Sequence, residues 1–203
     1  YALSKLESAM MPAIQVGLLV LVVTAPAFIF FSQKGPGAMH APWLISLAAG
    51  LVVGGLSQVS RLCTVGGFRD LFLFKKSILI FGYLAVLIGV FVVNISFGNF
   101  HLGFENQPIA HTDGLWNFLG MALAGFCSVL LGGCPLRQLI MTGEGNSDSA
   151  VTVLGLAAGA AFAHNFGLAA SGAGPTLNGE IAVGVGFVVA LIIAILNTKR
   201  ANA

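Results

Sequence analysis

Six stretches of this chain, residues 11–31, 42–60, 77–98, 115–133, 150–170 and 178–197, are nearly unbroken runs of apolar and small residues. Each approaches the roughly 20 residues that an α-helix needs to cross a bilayer. Runs of this length and number leave few folds open. A soluble domain would have to hide them from water, and charged residues, at 8% of the chain, are too few to make its surface. A transmembrane barrel would alternate apolar and polar residues over segments of about 10, a pattern these runs lack. The 27 glycines suit helices that approach one another closely. The expected fold class is an all-α polytopic membrane protein of about six transmembrane helices, with the lipid bilayer as its surroundings.

Charge sets the orientation. Lys75 and Lys76 precede the third run and Lys199 and Arg200 follow the sixth, whereas residues 99–114 contain no Lys or Arg. The positive-inside rule places both termini and the connections 61–76 and 134–149 in the cytoplasm of a bacterial inner (plasma) membrane. Lys34 is the dissenting charge on the outer side. Trp43 and Trp116 fall near the outer ends of their runs, as interfacial aromatics do. A net charge of +2 makes no nucleic-acid surface. The chain opens at Tyr1 with no secretory pattern before Met11, so a truncated start is expected.

The chain also resembles itself. "GLVVGGLSQVSRLC" (50–63) is similar to "GMALAGFCSVLLGGC" (120–134), allowing one inserted residue. Asn94 lies 31 residues after Cys63, and Asn165 lies 31 residues after Cys134. These matches predict a parallel internal repeat within one transmembrane domain, 1–203. Repeat 1 covers about 42–98 and repeat 2 about 115–170, with flanking helices 11–31 and 178–197. Transporters built from repeats place their sites where the repeats meet. The segments "CTVGGFRDLFLF" and "CPLRQLIMTG" are apolar but too short to span, and such backbone is tolerated at membrane depth only when buried or lining a cavity. Two short re-entrant helices are therefore expected.

The chemistry gathers at their starts. Pro135 favours a helix beginning just after Cys134, which puts the thiol beside free N–H groups and the positive end of a helix dipole. Arg137 and Gln138 fall in the first turn, and together these groups favour an anion. Thr64, Gly66, Gly67 and Arg69 give Cys63 a looser version of the same surroundings. Cys127, seven residues before Cys134, falls about two turns or roughly 10 Å above it on nearly the same face. It is either a further thiol on the path or a small hydrophobe. Asn94 and Asn165 either contact substrate or bond neighbouring helices. His164, read as mid-span, is a proton or substrate group or a packing histidine. Arg61 reads as a topology anchor, Glu144 and Asp148 as helix caps or cytoplasmic charges, and His40, His101 and His111 as exposed loop residues. Neither a metal nor a cofactor is expected, because the cysteines lack C-x-x-C spacing, the histidines are scattered, and no phosphate loop or nucleophile elbow occurs.

"GGCPLRQLIMTGEGNSDSAVTVLGLAAGAAFAHNFGLA" (132–169) and "NGEIAVGVG" (178–186) closely resemble the YedE branch of the YeeE/YedE membrane proteins. "SRLCTVGGFRDLFLF" (60–74) resembles that branch's preceding cysteine segment. The resemblance implies transport of a small selenium- or sulfur-containing anion. The YedE branch is regarded as carrying selenium, and related YeeE proteins import thiosulfate, passing it inward through cysteine S–H···S hydrogen bonds. It implies such roles for Cys63 and Cys134, further helices upstream of this C-terminal portion, and a soluble sulfur- or selenium-carrier protein on the cytoplasmic side. The residues themselves leave two rival readings: a membrane thiol oxidoreductase cycling Cys63 and Cys134, which is an enzyme, and a structural anchor subunit. They leave the oligomeric state open.

Overall fold

The structure is a computed structural model that describes residues 5–24, 41–103 and 111–201. Eight α-helices occupy them: α1 (Lys5–Thr24), α2 (Trp43–Ser60), α3 (Thr64–Phe74), α4 (Ile78–Ser96), α5 (Gly114–Leu130), α6 (Pro135–Gly143), α7 (Ser147–Asn165) and α8 (Leu177–Ala201). Among the described residues there is no strand, only an isolated bridge between Ser171 and Gly174. The chain is an all-α, multi-pass membrane protein. Each of the six apolar runs is helical over most of its length, and α3 and α6 are the two short helices expected after the cysteines. At 1.5 Å per residue these last two are roughly 16 and 14 Å long, half the thickness of a bilayer core.

Four stretches among the described residues are long and apolar enough to cross a membrane: Trp43–Phe74, Ile78–Ser96, Gly114–Gly143 and Leu177–Thr198. The first run is helical from Lys5, earlier than expected, and residues 25–31 lie outside the described residues, as does Lys34. The fifth begins at Ser147, because Asn146 Oδ1 accepts the Ser149 N–H at 3.0 Å and so starts the helix. It ends at Asn165 rather than 170, where Gly167 turns left-handed (φ 63°) and Leu168 N–H closes onto the Ala163 carbonyl at 2.8 Å.

The helices fall into two compact units. One comprises Tyr1–Leu62 with Leu136–Val153, and the other Cys63–Pro135 with Leu154–Ala203. In the second, α3 packs on the start of α4 and α5 packs along α8. The paired glycines of α3 lie at the first contact, where a Cβ on Gly67 would just touch the Ile80 backbone nitrogen at 3.4 Å. Phe68 and Tyr83 extend it, with ring centroids 6.3 Å apart.

Burial runs opposite to that of a water-soluble protein. The buried side chains among the described residues are small or polar: Cys63, Cys134, Ala150, Ala190, Ser57, Ser128, Gln138, Thr142 and Ser149. Large apolar residues point outward, and no residue of α4 is buried. Each exposed Leu, Ile or Phe would cost about 1.5–3 kcal/mol in water relative to burial. α4 alone exposes Ile78, Phe81, Leu87, Phe91 and several more. Lipid around them removes that cost, and the same lipid requires every backbone group to be satisfied within the protein.

Candidate functional site

Both cysteine turns are built by the same helix ending. At the end of α2, Arg61 N–H bonds the Gln58 carbonyl and Leu62 N–H bonds the Ser57 carbonyl, each at 3.2 Å. At the end of α5, Gly132 N–H bonds Val129 at 3.1 Å and Gly133 N–H bonds Ser128 at 3.0 Å. This pair of bonds closes a helix through one left-handed residue, and the next residue but one is the cysteine in each case. Glycine fills the left-handed position before Cys134 (φ 76° at Gly132), whereas Arg61 fills it before Cys63 at φ 52°. Placing a side chain there is a strain of roughly 1–2 kcal/mol.

Cys63 then caps α3. Its backbone is extended, and its Sγ accepts the Gly66 N–H at 3.3 Å. With the sulfur as acceptor, the thiol hydrogen is left to be donated. Glycine at residue 66 eases this approach: a Cβ there would stand 3.3 Å from Cys63 Cβ, a tight contact, and 3.4 Å from its Sγ. Cys63 and Cys134 are 7% and 6% exposed, and neither they nor Cys127 form a disulfide. Beside the Cys63 turn lies a cavity of about 360 Å³, walled by Gly66, Phe68 and Arg69 from α3 and by Gly125, Val129 and Gly132 from the end of α5. At about 30 Å³ per water, it has room for a small oxyanion and part of its hydration shell. One wall thus holds the glycine that binds Cys63, and the other the glycine that turns the chain towards Cys134.

The arginines carry counter-charges. Arg69 forks onto Asp70 Oδ1 through Nε at 3.0 Å and Nη2 at 2.9 Å, with its side chain more than half exposed. An exposed pair of this kind is worth about 0–1 kcal/mol, so an arriving anion can displace the carboxylate. In the first unit, Arg137 is mostly buried, 3.6 Å from Glu144 Oε1, and donates to Gln58 Oε1 at 3.4 Å. Gln138 beside it is buried, and Thr142 Oγ1 donates to its carbonyl at 2.8 Å. Glu144 is therefore the partner of Arg137, and Asn146 takes the capping role. The two arginines are not equivalent: at the spacing that matches the cysteines, Arg137 falls opposite Gly66 and Arg69 opposite Ile140.

Other candidates lie elsewhere. Cys127 is half-buried and lines a separate apolar cavity of about 1230 Å³ with Gly159 and Phe162 of α7 and Val189 of α8. Val129 and Gly132 face the α3 side instead. His164 is not mid-span but in the last turn of α7, exposed, because the helix stops at Asn165. Asn165 is also exposed, and its Nδ2 donates to the Ala161 carbonyl of its own helix at 2.8 Å rather than to a neighbouring one. Asn94 is half-buried near the end of α4, where its carbonyl accepts the Asn99 N–H at 2.9 Å. His101 is exposed as expected, and His40 lies outside the described residues. His111 is not exposed: its Nδ1 is buried.

Three functional-looking residues escaped the sequence reading: Gln58, which receives Arg137, and the buried serines Ser57 and Ser128. The serines are separated by the same interval as the cysteines, and each supplies the carbonyl that closes its helix. That shared interval needs no inserted residue, and it was the available signal.

Residues 59–199 match the family model described as sulphur transport. Over 111 residues the chain is 30% identical to the thiosulfate transporter TsuA of Escherichia coli (strain K12), an alignment covering 53% of this chain and 30% of that protein. The chain thus spans less than a third of that relative's length. No solved structure matches it. The family match takes in all three cysteines, the cavity beside Cys63 and the Arg137–Glu144 pair, and covers more than half of the chain; on that ground the chain belongs to the sulphur-transport (YeeE/YedE) family of membrane proteins.

Proposed function

We propose that this chain moves a small sulfur-containing anion, thiosulfate or a selenium analogue of similar size, across a bacterial inner membrane. The observation that carries the reading is the matched pair of buried cysteines, each following a closed helix end and each leading into a helix too short to span. Such a helix start offers backbone N–H groups and a positive dipole end to an anion. A buried thiol adds a polarizable sulfur and a weak S–H donor. A soft chalcogen atom matches that donor better than a phosphate or carboxylate oxygen does. Weak successive contacts suit passage, because the cargo must leave as readily as it arrives.

In this reading Cys63, Cys134 and Arg69 in the second unit and Arg137 and Gln138 in the first handle the anion, each argued from its own surroundings. α3 and α6 are re-entrant, within one transmembrane domain whose repeats, about 42–98 and 115–170, run parallel. Both termini face the cytoplasm, where a soluble sulfur- or selenium-carrier protein receives the cargo. Cys127, Asn94, Asn165 and His164 are weaker members of the route, since one lines a different cavity and the others sit at helix ends.

The test is uptake of radiolabelled thiosulfate, selenite and selenide into proteoliposomes by the unmodified protein and by Cys134→Ala. Saturable uptake of one species, reduced on the order of tenfold in the variant, is expected, a factor equivalent to about 1.4 kcal/mol at one step. Uptake unchanged in Cys134→Ala would remove the thiol from the route. A disulfide between Cys63 and Cys134 that forms and breaks with turnover would favour the oxidoreductase instead.

A further inference from the structure

The Arg137 guanidinium is held by one of its three nitrogens. Within the first unit, Nη1 donates to Gln58 Oε1 at 3.4 Å and stands 3.6 Å from Glu144 Oε1. The Nε and Nη2 N–H groups make no hydrogen bond or ion pair among the described residues. Both keep accessible surface, because the only buried side-chain nitrogen or oxygen without a partner among those residues is His111 Nδ1. A mostly buried guanidinium therefore presents one open edge. On Arg69 the same edge is filled, since Nε and Nη2 both donate to Asp70 Oδ1. Two N–H groups side by side match an oxyanion, which brings an oxygen to each.

Backbone bonds place both neighbours of Nη1. Gln58 belongs to the closed end of α2, where its carbonyl accepts the Arg61 N–H at 3.2 Å. Glu144 follows α6, and its N–H donates to the Ile140 carbonyl at 3.0 Å. The two side chains differ in charge. The Gln58 amide is neutral and fixes Nη1 without offsetting its positive charge. The Glu144 carboxylate, slightly beyond hydrogen-bond distance, opposes that charge and repels any anion that reaches the open edge.

We propose that Gln58 and Glu144 set how strongly Arg137 holds the cargo. Gln58 is a positioning residue that anchors Nη1 and leaves the Nε–Nη2 edge open to the anion. Glu144 remains beside the guanidinium as a fixed counter-charge that keeps the anion loosely bound. The inference rests on the transport reading, in which Arg137 handles the anion, and adds two residues that act through it. A mostly buried arginine with no counter-charge would retain an anion, whereas passage requires that the anion also leave.

Two exchanges that nearly keep side-chain shape and change only charge test this, with thiosulfate binding to the purified protein in detergent read by calorimetry. Glu144→Gln is expected to lower Kd on the order of tenfold, the size of effect of one charge a few ångströms away in a partly wetted site. Gln58→Glu is expected to raise Kd by a similar factor. The double exchange, which moves the carboxylate from one side of Nη1 to the other, is expected to return Kd close to that of the unmodified protein. A purely structural ion pair would not tighten binding on losing its acid. In proteoliposomes, Glu144→Gln is expected to lower KM and kcat together, because a tighter hold slows release. Unchanged affinity in either single exchange, or weaker affinity in Glu144→Gln, overturns the proposal. If Glu144→Gln does not fold, Gln58→Glu decides alone. Thiosulfate bound by neither the unmodified protein nor Glu144→Gln overturns the transport reading and this proposal together. Binding and uptake that neither exchange shifts overturn the proposal and leave the transport reading standing.

Discussion

Cys63 is both a helix cap and a buried thiol, and the two roles separate by substitution. Serine replaces the cap, since a hydroxyl accepts the Gly66 N–H at least as well as sulfur does, but it offers a hard oxygen to the cargo. Alanine removes both. Cys63→Ala is expected to lower stability by about 0.5–2 kcal/mol, seen as a lower Tm in detergent, whereas Cys63→Ser keeps Tm and still loses uptake. Uptake retained by the serine variant would reduce Cys63 to its cap. Two residues earlier, Arg61 holds a left-handed backbone conformation at φ 52° that Gly132 holds at its counterpart. Arg61→Gly is expected to raise stability by about 1 kcal/mol through relief of that strain, and an unchanged or lower Tm would show that the guanidinium contributes more than the strain costs. Only part of this was legible in the sequence. Pro135 announced the helix after Cys134, and the residues after Cys63 a looser helix start there, but not that the Cys63 sulfur itself accepts the Gly66 N–H, because cysteine is an uncommon cap. The Arg137–Glu144 pair was hidden too: α6 ends at Gly143, just before Glu144, so the path of the chain beyond the helix end decides the contact.

At the scale of elements, hydrophobicity gave the six long helices and segment length gave the two short ones. Helix ends depend on individual hydrogen bonds, which composition does not encode. α7 shows the consequence: its apolar run continues through Leu168, Ala169 and Ala170, yet the helix closes at Asn165, which moved His164 from mid-span to the last turn. The α7–α8 connection is held by Thr176, through its bonds to Gly179 and Gly167, and by Asn178 Nδ2, which donates to the Phe166 carbonyl at 3.2 Å. Thr176→Val keeps the shape and removes the hydroxyl, so a loss of about 1–2 kcal/mol is expected. Gly179→Ala is expected to cost about 1–3 kcal/mol by overpacking, since its Cβ would meet the Leu168 carbonyl oxygen at 2.6 Å. Thermal unfolding in detergent reads both, and an unchanged Tm in either would mean that this loop contributes little to stability.

For the whole molecule, the distribution of charge argues for one orientation in the membrane. Ser171 and Lys76 are both exposed, on connections assigned to opposite sides. Cysteine at 171 is expected to react with a membrane-impermeant maleimide in intact spheroplasts, and cysteine at 76 only after lysis. The reverse pattern would invert the topology. Inversion of another kind is already present in the burial pattern, where small and polar side chains lie inside and large apolar ones outside. Its consequence concerns how such a chain drifts over generations. An outward Leu, Ile, Val or Phe is bounded only by hydrocarbon tails that rearrange around any of the four, so those positions interchange freely. Ser128, Gly66 and Thr142 are buried, so a larger side chain there has to displace protein neighbours rather than lipid. A saturation library would therefore show its widest tolerance at the bulkiest residues and its narrowest at the slightest, the reverse of the profile of a water-soluble enzyme.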